Sequence, residues 1–312
     1  MTKTILSRQR TTSSTRIAMA ATVFVAAFTL AACGSTSATS AGPAGSEPAA
    51  APVAVPAGLK GMTMTVAVTV FSPFELYDSN NNLGGADIDL YQELGRVLGV
   101  TFTPKVVDFD GIVPGLESGR YQAASPLGDF VERQQVIDLV DYSQGSSSLL
   151  VSGKGSYRPT NVSDLCGHTI GIEKGSAEVG VTGTLNDRCA AGGKPAIDLR
   201  LYPNVSAADL AVQSGRVDGV LTDSAPNGYT AEQSGGLFAN APLAGGSDIA
   251  GWGATFGIAV AKNSPLAQPL EQALKELIAN GTYDRIYQKW GISGNEITAA
   301  RVKIDGSTAH QG

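Results

Sequence analysis

Between residues 59 and 292, stretches of alternating apolar and polar positions take turns with stretches where apolar residues recur every three or four. Residues 63–70 alternate and are rich in Val and Thr, which predicts a strand. Leu90, Tyr91, Leu94, Val97 and Leu98 then fall at helical spacing, and Gly99 closes that helix. Residues 100–107 predict a second strand. Asp110 caps a short helix through Leu116 that Ser118 and Gly119 end, and residues 121–124 predict a third strand. A second series starts near residue 150, with strands over 168–173, 197–202 and 217–223. Ser176 is placed to cap one helix of this series. Ser206, Ala207, Ala208 and Asp209 look like a capping box opening another, which ends at Ser214 and Gly215. A strand over 256–261 follows. Pro265 or Pro269 starts a helix carrying Leu270, Leu274, Leu277 and Ile278, which Asn280 and Gly281 stop. A short helix over 282–289, presenting Ile286 and Trp290, completes the pattern. The order predicts an α/β fold made of two mostly parallel sheets flanked by helices.

The first 58 residues lack this patterning. Lys3, Arg8, Arg10 and Arg16 precede an apolar run over 17–32, the order of a secretory signal covering 1–32. The run is shorter than the roughly 20 apolar residues of a spanning helix. Leu30-Ala31-Ala32-Cys33-Gly34 resembles a bacterial lipobox, which implies a lipid on Cys33 and a tether to the membrane rather than a span. From 33 to 58 the chain is mainly small and polar with the single charge Glu47, and reads as a flexible linker. The C-terminal tail, 299–312, ends in a stretch over 307–312 that is equally undistinguished.

The charge balance narrows the function. Acidic residues number 28 and basic ones 22, for a net charge of −6, which argues against a nucleic-acid binder. Only two histidines are present, His168 and His310, so no His-rich metal site and no Ser-His-Asp triad is expected, and no cofactor is implied. With Cys33 taken by lipid, Cys166 and Cys189 remain. In an exported protein they favour a bridge closing roughly 25 residues over two buried free thiols.

Two α/β series suggest two lobes with a crevice between them, and ligands in such folds lie at the carboxyl ends of strands. The segments at those ends, and others in order along the chain, resemble the family 3 extracellular solute-binding proteins. The resemblance rests on Phe71-Ser72-Pro73-Phe74, Gly85-Ala86-Asp87-Ile88-Asp89-Leu90 and Phe109-Asp110-Gly111-Ile112. It continues through Glu132-Arg133-Gln134-Gln135, Gly171-Ile172-Glu173-Lys174-Gly175-Ser176, Thr222-Asp223 and Gly281-Thr282-Tyr283-Asp284. It implies a two-lobed type II periplasmic-binding-protein-like fold with two hinge strands, crossing near 146–149 and 255–258. Lobe 1 would take 59–146 and 258–298, and lobe 2 would take 149–254. It implies a monomer, not an enzyme, that hands a polar or charged amino acid, or a related zwitterion, to an ABC permease with its ATPase. The alternatives on this fold are a dehydratase-like enzyme and a sensor for a membrane receptor.

The same resemblance carries a site. Arg133 would fork onto a ligand carboxylate; the bland alternative is an exposed Arg paired with Glu132. Asp223 would take the ammonium, or merely cap the next helix. Ser176 would add donors at a helix start, with Thr222 beside Asp223. Phe71 and Phe109 would stack on the ligand, or simply be core. Gly128 stands where the family usually has a hydroxyl, Pro126 can offer only its carbonyl, and Val68, where several members carry an acid, would make that wall of the site apolar. Asp129 or Glu173 could compensate with a negative charge, although both read more naturally as solvated surface. Asp87 and Asp89 are expected to charge the start of the Leu90 helix rather than to act as paired acids.

Overall fold

The computed structural model describes residues 53–311. The signal over 1–32, the lipidation at Cys33 and most of the linker lie outside the described residues. From Thr63 the chain forms β1 (Thr63–Val68), the hairpin β2 (Leu76–Tyr77) and β3 (Leu83–Gly84), α1 (Ala86–Leu98), β4 (Thr101–Val106), α2 (Ile112–Glu117), β5 (Ala123–Gly128), α3 (Val131–Gln134) and β6 (Ile137–Gln144). There follow β7 (Ser147–Ser152), β8 (Thr169–Glu173), α4 (Glu178–Ala191), β9 (Asp198–Tyr202), α5 (Val205–Gln213), β10 (Gly219–Asp223), α6 (Ser224–Gln233) and β11 (Phe238–Pro242). The chain ends with β12 (Thr255–Ala261), α7 (Ala267–Ala279) and α8 (Thr282–Lys289).

The strands make two five-stranded sheets, β4-β1-β5-β12-β6 and β11-β7-β10-β8-β9. In the first, β4, β1 and β5 are parallel and β12 runs against both its neighbours. In the second, β10, β8 and β9 are parallel and β7 is the reversed strand. Each sheet is covered on both faces. Leu90, Leu94 and Leu98 of α1 and Leu270, Leu274 and Leu277 of α7 close one face of the first sheet, and Ile112 and Leu116 of α2 the other. Val181 and Leu185 of α4 and Ala208 and Val212 of α5 do the same for the second. Pro104 sits in β4, an edge strand, where its missing N–H costs no ladder bond. Gly99 takes the left-handed conformation (φ 65°) that ends α1 as the pattern predicts.

Two connections pass between the sheets side by side. One joins β6 to β7 through Gly145 and Ser146; the other joins β11 to β12, and Gly145 N donates to Ala254 O across them at 2.8 Å.

The structure corrects several sequence expectations. The cap of α5 is Asn204, whose side chain accepts from Ala207 N at 2.9 Å; Ser206 lies inside the helix. The helix α4 starts at Glu178, and the Ser176 hydroxyl caps nothing. Asp87 stands in the first turn of α1 but is buried, accepting from Tyr142 Oη at 2.6 Å, while Asp89 pairs with Lys289 Nζ at 2.6 Å. The C-terminal stretch is no loose tail. Val302 is fully buried, Ile304 bridges Val140, and Asp305 accepts from Leu139 N at 2.9 Å.

Cys166 and Cys189 are joined, tying the segment before β8 to α4 with a sequence separation of 23. A cross-link of this span removes unfolded-state entropy worth about 3 kcal/mol. The double variant Cys166→Ser/Cys189→Ser should therefore melt about 6–12 °C lower by calorimetry; an unchanged midpoint would mean that the bridge adds nothing to the fold.

Candidate functional site

The carboxyl ends of β1, β5, β8 and β10 converge on one cavity enclosing about 540 Å³ of space not filled by atoms, its mouth included. Phe71, Phe109, Pro126, Gly128, Arg133, Ser176, Thr222 and Asp223 all line it. The structure thus brings these eight residues to one cavity, the first five on or after strands of the first sheet and the last three belonging to the second.

Arg133 is 8% exposed and sits on the short α3. Its guanidinium carbon lies 5.5 Å from the Phe109 ring centroid and 5.3 Å from that of Phe130. Its Nη1 donates to Gly128 O at 3.1 Å and its Nη2 to Gly175 O at 3.3 Å, the latter on the second lobe. Glu132 is not its partner: that carboxylate accepts from Gln311 N at 2.9 Å and meets His310 Nδ1 at 2.7 Å. Burial lowers the Arg133 pKa to about 10, so the group stays charged at neutral pH.

Asp223 ends β10 and caps the next helix while also lining the cavity. Its Oδ1 accepts from Ala225 N at 2.9 Å, capping α6, and its Oδ2 accepts from Ser146 N at 2.6 Å on the hinge. The carboxyl still faces the cavity, and burial, against those two N–H groups, raises its pKa to about 7. Phe71 is likewise both core and lining, packing on Phe74 at 5.9 Å and edge-on to Phe256 at 6.1 Å. Gly128 is obligatory, because a Cβ there would stand 2.3 Å from the Phe130 ring; the ring excludes the hydroxyl the family usually has.

Three expectations fail. Glu173 is not solvated surface: it is 5% exposed and lines the cavity, and burial, then Glu178, Asp108 and Asp110, raise its pKa to about 8. Asp129 is buried too, but away from the cavity, accepting from Gln134 Nε2 and Ser307 N, each at 2.8 Å. Val68 makes no cavity wall. It is fully buried in the core of the first lobe, and its neighbour Thr69 lines the cavity instead. The sequence also misses Phe130, Ser147, Ala177, Glu178, Gly251, Ala254 and Phe256. Phe130 adjoins Arg133 and Glu178 follows the Ser176 turn, so both were within reach of local reading; Phe256 comes from β12 and no local signal links it to Phe71.

One guanidinium, three carboxyls (Glu173, Glu178 and Asp223), hydroxyls and phenyl rings are equipped to hold a small ligand carrying charges of both signs. Among the described residues no group of three or more His, Cys, Asp or Glu is arranged for a metal ion. The model of the bacterial extracellular solute-binding proteins, family 3, matches residues 64–293. An arginine-binding protein of Corynebacterium glutamicum is 31% identical over 235 residues, 75% of this chain and 75% of that protein. A putative ABC transporter arginine-binding protein of Escherichia coli is 32% identical over 222 residues, 70% of this chain and 86% of that protein. The solved structure of an ancestral arginine-binding protein bound to arginine superposes with a TM-score of 0.63 at 32% identity, over 74% of this chain and 99% of that one. The fold is that of these type II two-lobed proteins.

The raised carboxyl groups set the pH dependence of the empty fold. Glu173 and Asp223 keep protons that the unfolded chain has released above about pH 4. The folded state therefore binds more protons from about pH 4 up to their folded pKa values, and stability falls as pH rises through that window. The ligand-free protein should melt higher at pH 5 than at pH 8. Glu173→Gln should narrow the gap by about 2–4 °C for each kcal/mol the group contributes. A midpoint flat or rising from pH 5 to 8 would contradict the assignment.

Proposed function

Because the chain belongs to the bacterial extracellular solute-binding proteins of family 3, we propose that it captures a basic α-amino acid between its lobes and delivers it to an ABC permease and its ATPase. The relatives it matches are binding proteins rather than enzymes, and those quoted above carry arginine in their names. The observation that carries the reading is the pair of opposite charges from different lobes lining one cavity, Arg133 on α3 and Asp223 at the end of β10. Arg133 takes the carboxylate with the donors its two carbonyl bonds leave free. A charge-assisted bond of this kind contributes about 1.5–3 kcal/mol. Asp223 takes the ammonium, Ser176 and Thr222 add hydroxyls, and Phe71 and Phe109 flank the ligand with Phe256. A ligand held from both lobes favours the closed arrangement by the contacts that only closure completes. The cavity is complete within one chain, which supports a working monomer.

The Leu30-Ala31-Ala32-Cys33 sequence supports a lipid anchor on Cys33 at the outer face of the cell membrane. Among the described residues no helix is long and apolar enough to cross a membrane. In the native host, Cys33→Ser should move the protein from the membrane fraction to the medium; retention at the membrane would refute the anchor.

Isothermal titration of the folded domain should show saturable 1:1 binding of a basic amino acid. Arg133→Met and Asp223→Asn should each weaken it by about a hundredfold, the loss of one buried charged partner. Asn keeps the cap of α6 through its one oxygen but cannot also accept from Ser146 N, so the Asp223→Asn midpoint should fall by about 2–4 °C for each kcal/mol that bond contributes. Absence of heat and of any melting shift with all common amino acids would remove the reading.

A further inference from the structure

Every charged group around the cavity finds a partner or a compensating field in the protein, except one. Asp223 accepts two backbone N–H bonds. Glu178 stands in the first turn of α4, where the helix end favours an acid, and feels Arg133. Arg133 meets two carbonyls and two rings, with further N–H donors left for the ligand carboxylate. Lys174 turns away to Asp110, Nζ to Oδ2 at 2.6 Å. Glu173 has none of this. It is 5% exposed, lines the cavity, and its buried Oε1 has no hydrogen-bond partner among the described residues. The charges acting on it are those of Glu178, Asp108 and Asp110, all of its own sign. A buried carboxylate without a partner is costly. The empty protein offers it no cation, so it can ionise only against one that enters the cavity.

We propose that Glu173 receives the cationic end of the ligand's side chain, a guanidinium or ammonium, so that selectivity for basic amino acids is set at the end of β8 on the second lobe. This inference rests on the amino-acid reading above. The first lobe has no rival for the role at β1: Val68 is buried in the core, and Thr69 brings only a hydroxyl to the cavity. The side-chain charge and the α-ammonium then both bind the second lobe, through Glu173 and Asp223. Arg133, the cavity's one cation, holds the carboxylate from the first. Burial and the neighbouring acids hold the proton on Glu173 up to about pH 8. An incoming cation reverses that preference, so binding at pH 7 expels a proton.

The test is calorimetric titration of the parent and of Glu173→Gln with arginine and with citrulline, its uncharged near-isostere, in two buffers of different ionisation enthalpy. The parent should prefer arginine by about a hundredfold and release protons on binding it. Glu173→Gln should lose about thirtyfold or more in arginine affinity, bind citrulline within about threefold of the parent, and release fewer protons. An unchanged arginine-to-citrulline ratio in Glu173→Gln overturns the inference. So does a parent that binds citrulline as tightly as arginine; in both cases the amino-acid reading stands. A parent that binds neither these two nor any other amino acid overturns both. Should Glu173→Gln fail to fold, the parent's own selectivity and proton release decide.

Discussion

Arg133 is held out of water by the rings of Phe109 and Phe130 and by the carbonyls of Gly128 and Gly175, and among the described residues it forms no ion pair. A guanidinium cannot escape burial by losing its proton at neutral pH, even with its pKa lowered to about 10. The positive charge is therefore permanent, and its surroundings are arranged around it. The two rings offer their negative faces. The Gly175 carbonyl belongs to the second lobe, so the same guanidinium that lines the cavity also joins the two halves. Lys174 and Asp110 add a second link between the lobes near that point.

The position of Arg133 is fixed from a distance. Asp129, Val131 and Glu132 flank it, and all three are tied to the C-terminal segment: Ser307 N to Asp129, Val131 N to Ala309 O at 2.9 Å, and Gln311 N to Glu132. That segment crosses β6 so closely that Gly306 admits no side chain, a Cβ there falling 2.3 Å from Asp141 Oδ2. It also reaches the second crossing, where a Cβ on Gly251 would stand 2.8 Å from Gln311 O. The last turns of the chain thus brace α3, which at four residues is too short to hold its own orientation.

The legible parts of this fold are those whose order is local. The strands β1, β8 and β10 are short, largely apolar runs, and the helices α1 and α7 keep their periodicity because one face of each meets an apolar layer. The strands β6 and β7 do not. They are buried on both faces yet carry Asp138, Asp141, Ser143, Ser147 and Ser148. Partners for these come from far along the chain, as Asn263 N does for Asp138 and Asn240 for Ser148. No alternation survives such a mixture. The site was legible for a related reason. Most of the residues singled out stand at or just past strand ends, where topology alone collects them. Glu173 also ends a strand, but it is buried, and the acids that act on it come from α4 and from the loop carrying Asp108 and Asp110. Its chemistry therefore emerges only from the assembled lobes.

The charge balance of the cavity links ligand and closure. Three carboxyls and one guanidinium cannot all be ionised in a small dry space without strong repulsion among the acids. Burial first, and neighbouring acids after it, favour protons in the empty protein and raise the pKa of Glu173 to about 8 and that of Asp223 to about 7. In the proposed binding mode, a neutral zwitterion would bring one cation for Asp223 and one anion for Arg133, and would leave the surplus acid as it was. A basic amino acid brings a second cation and lets that acid ionise against a partner. Protons and ligand cations thus compete for the same oxygens. The closed cleft is then most favourable when the cations belong to a molecule that also carries the carboxylate Arg133 is waiting for, because a proton can neutralise the second lobe but cannot join it to the first.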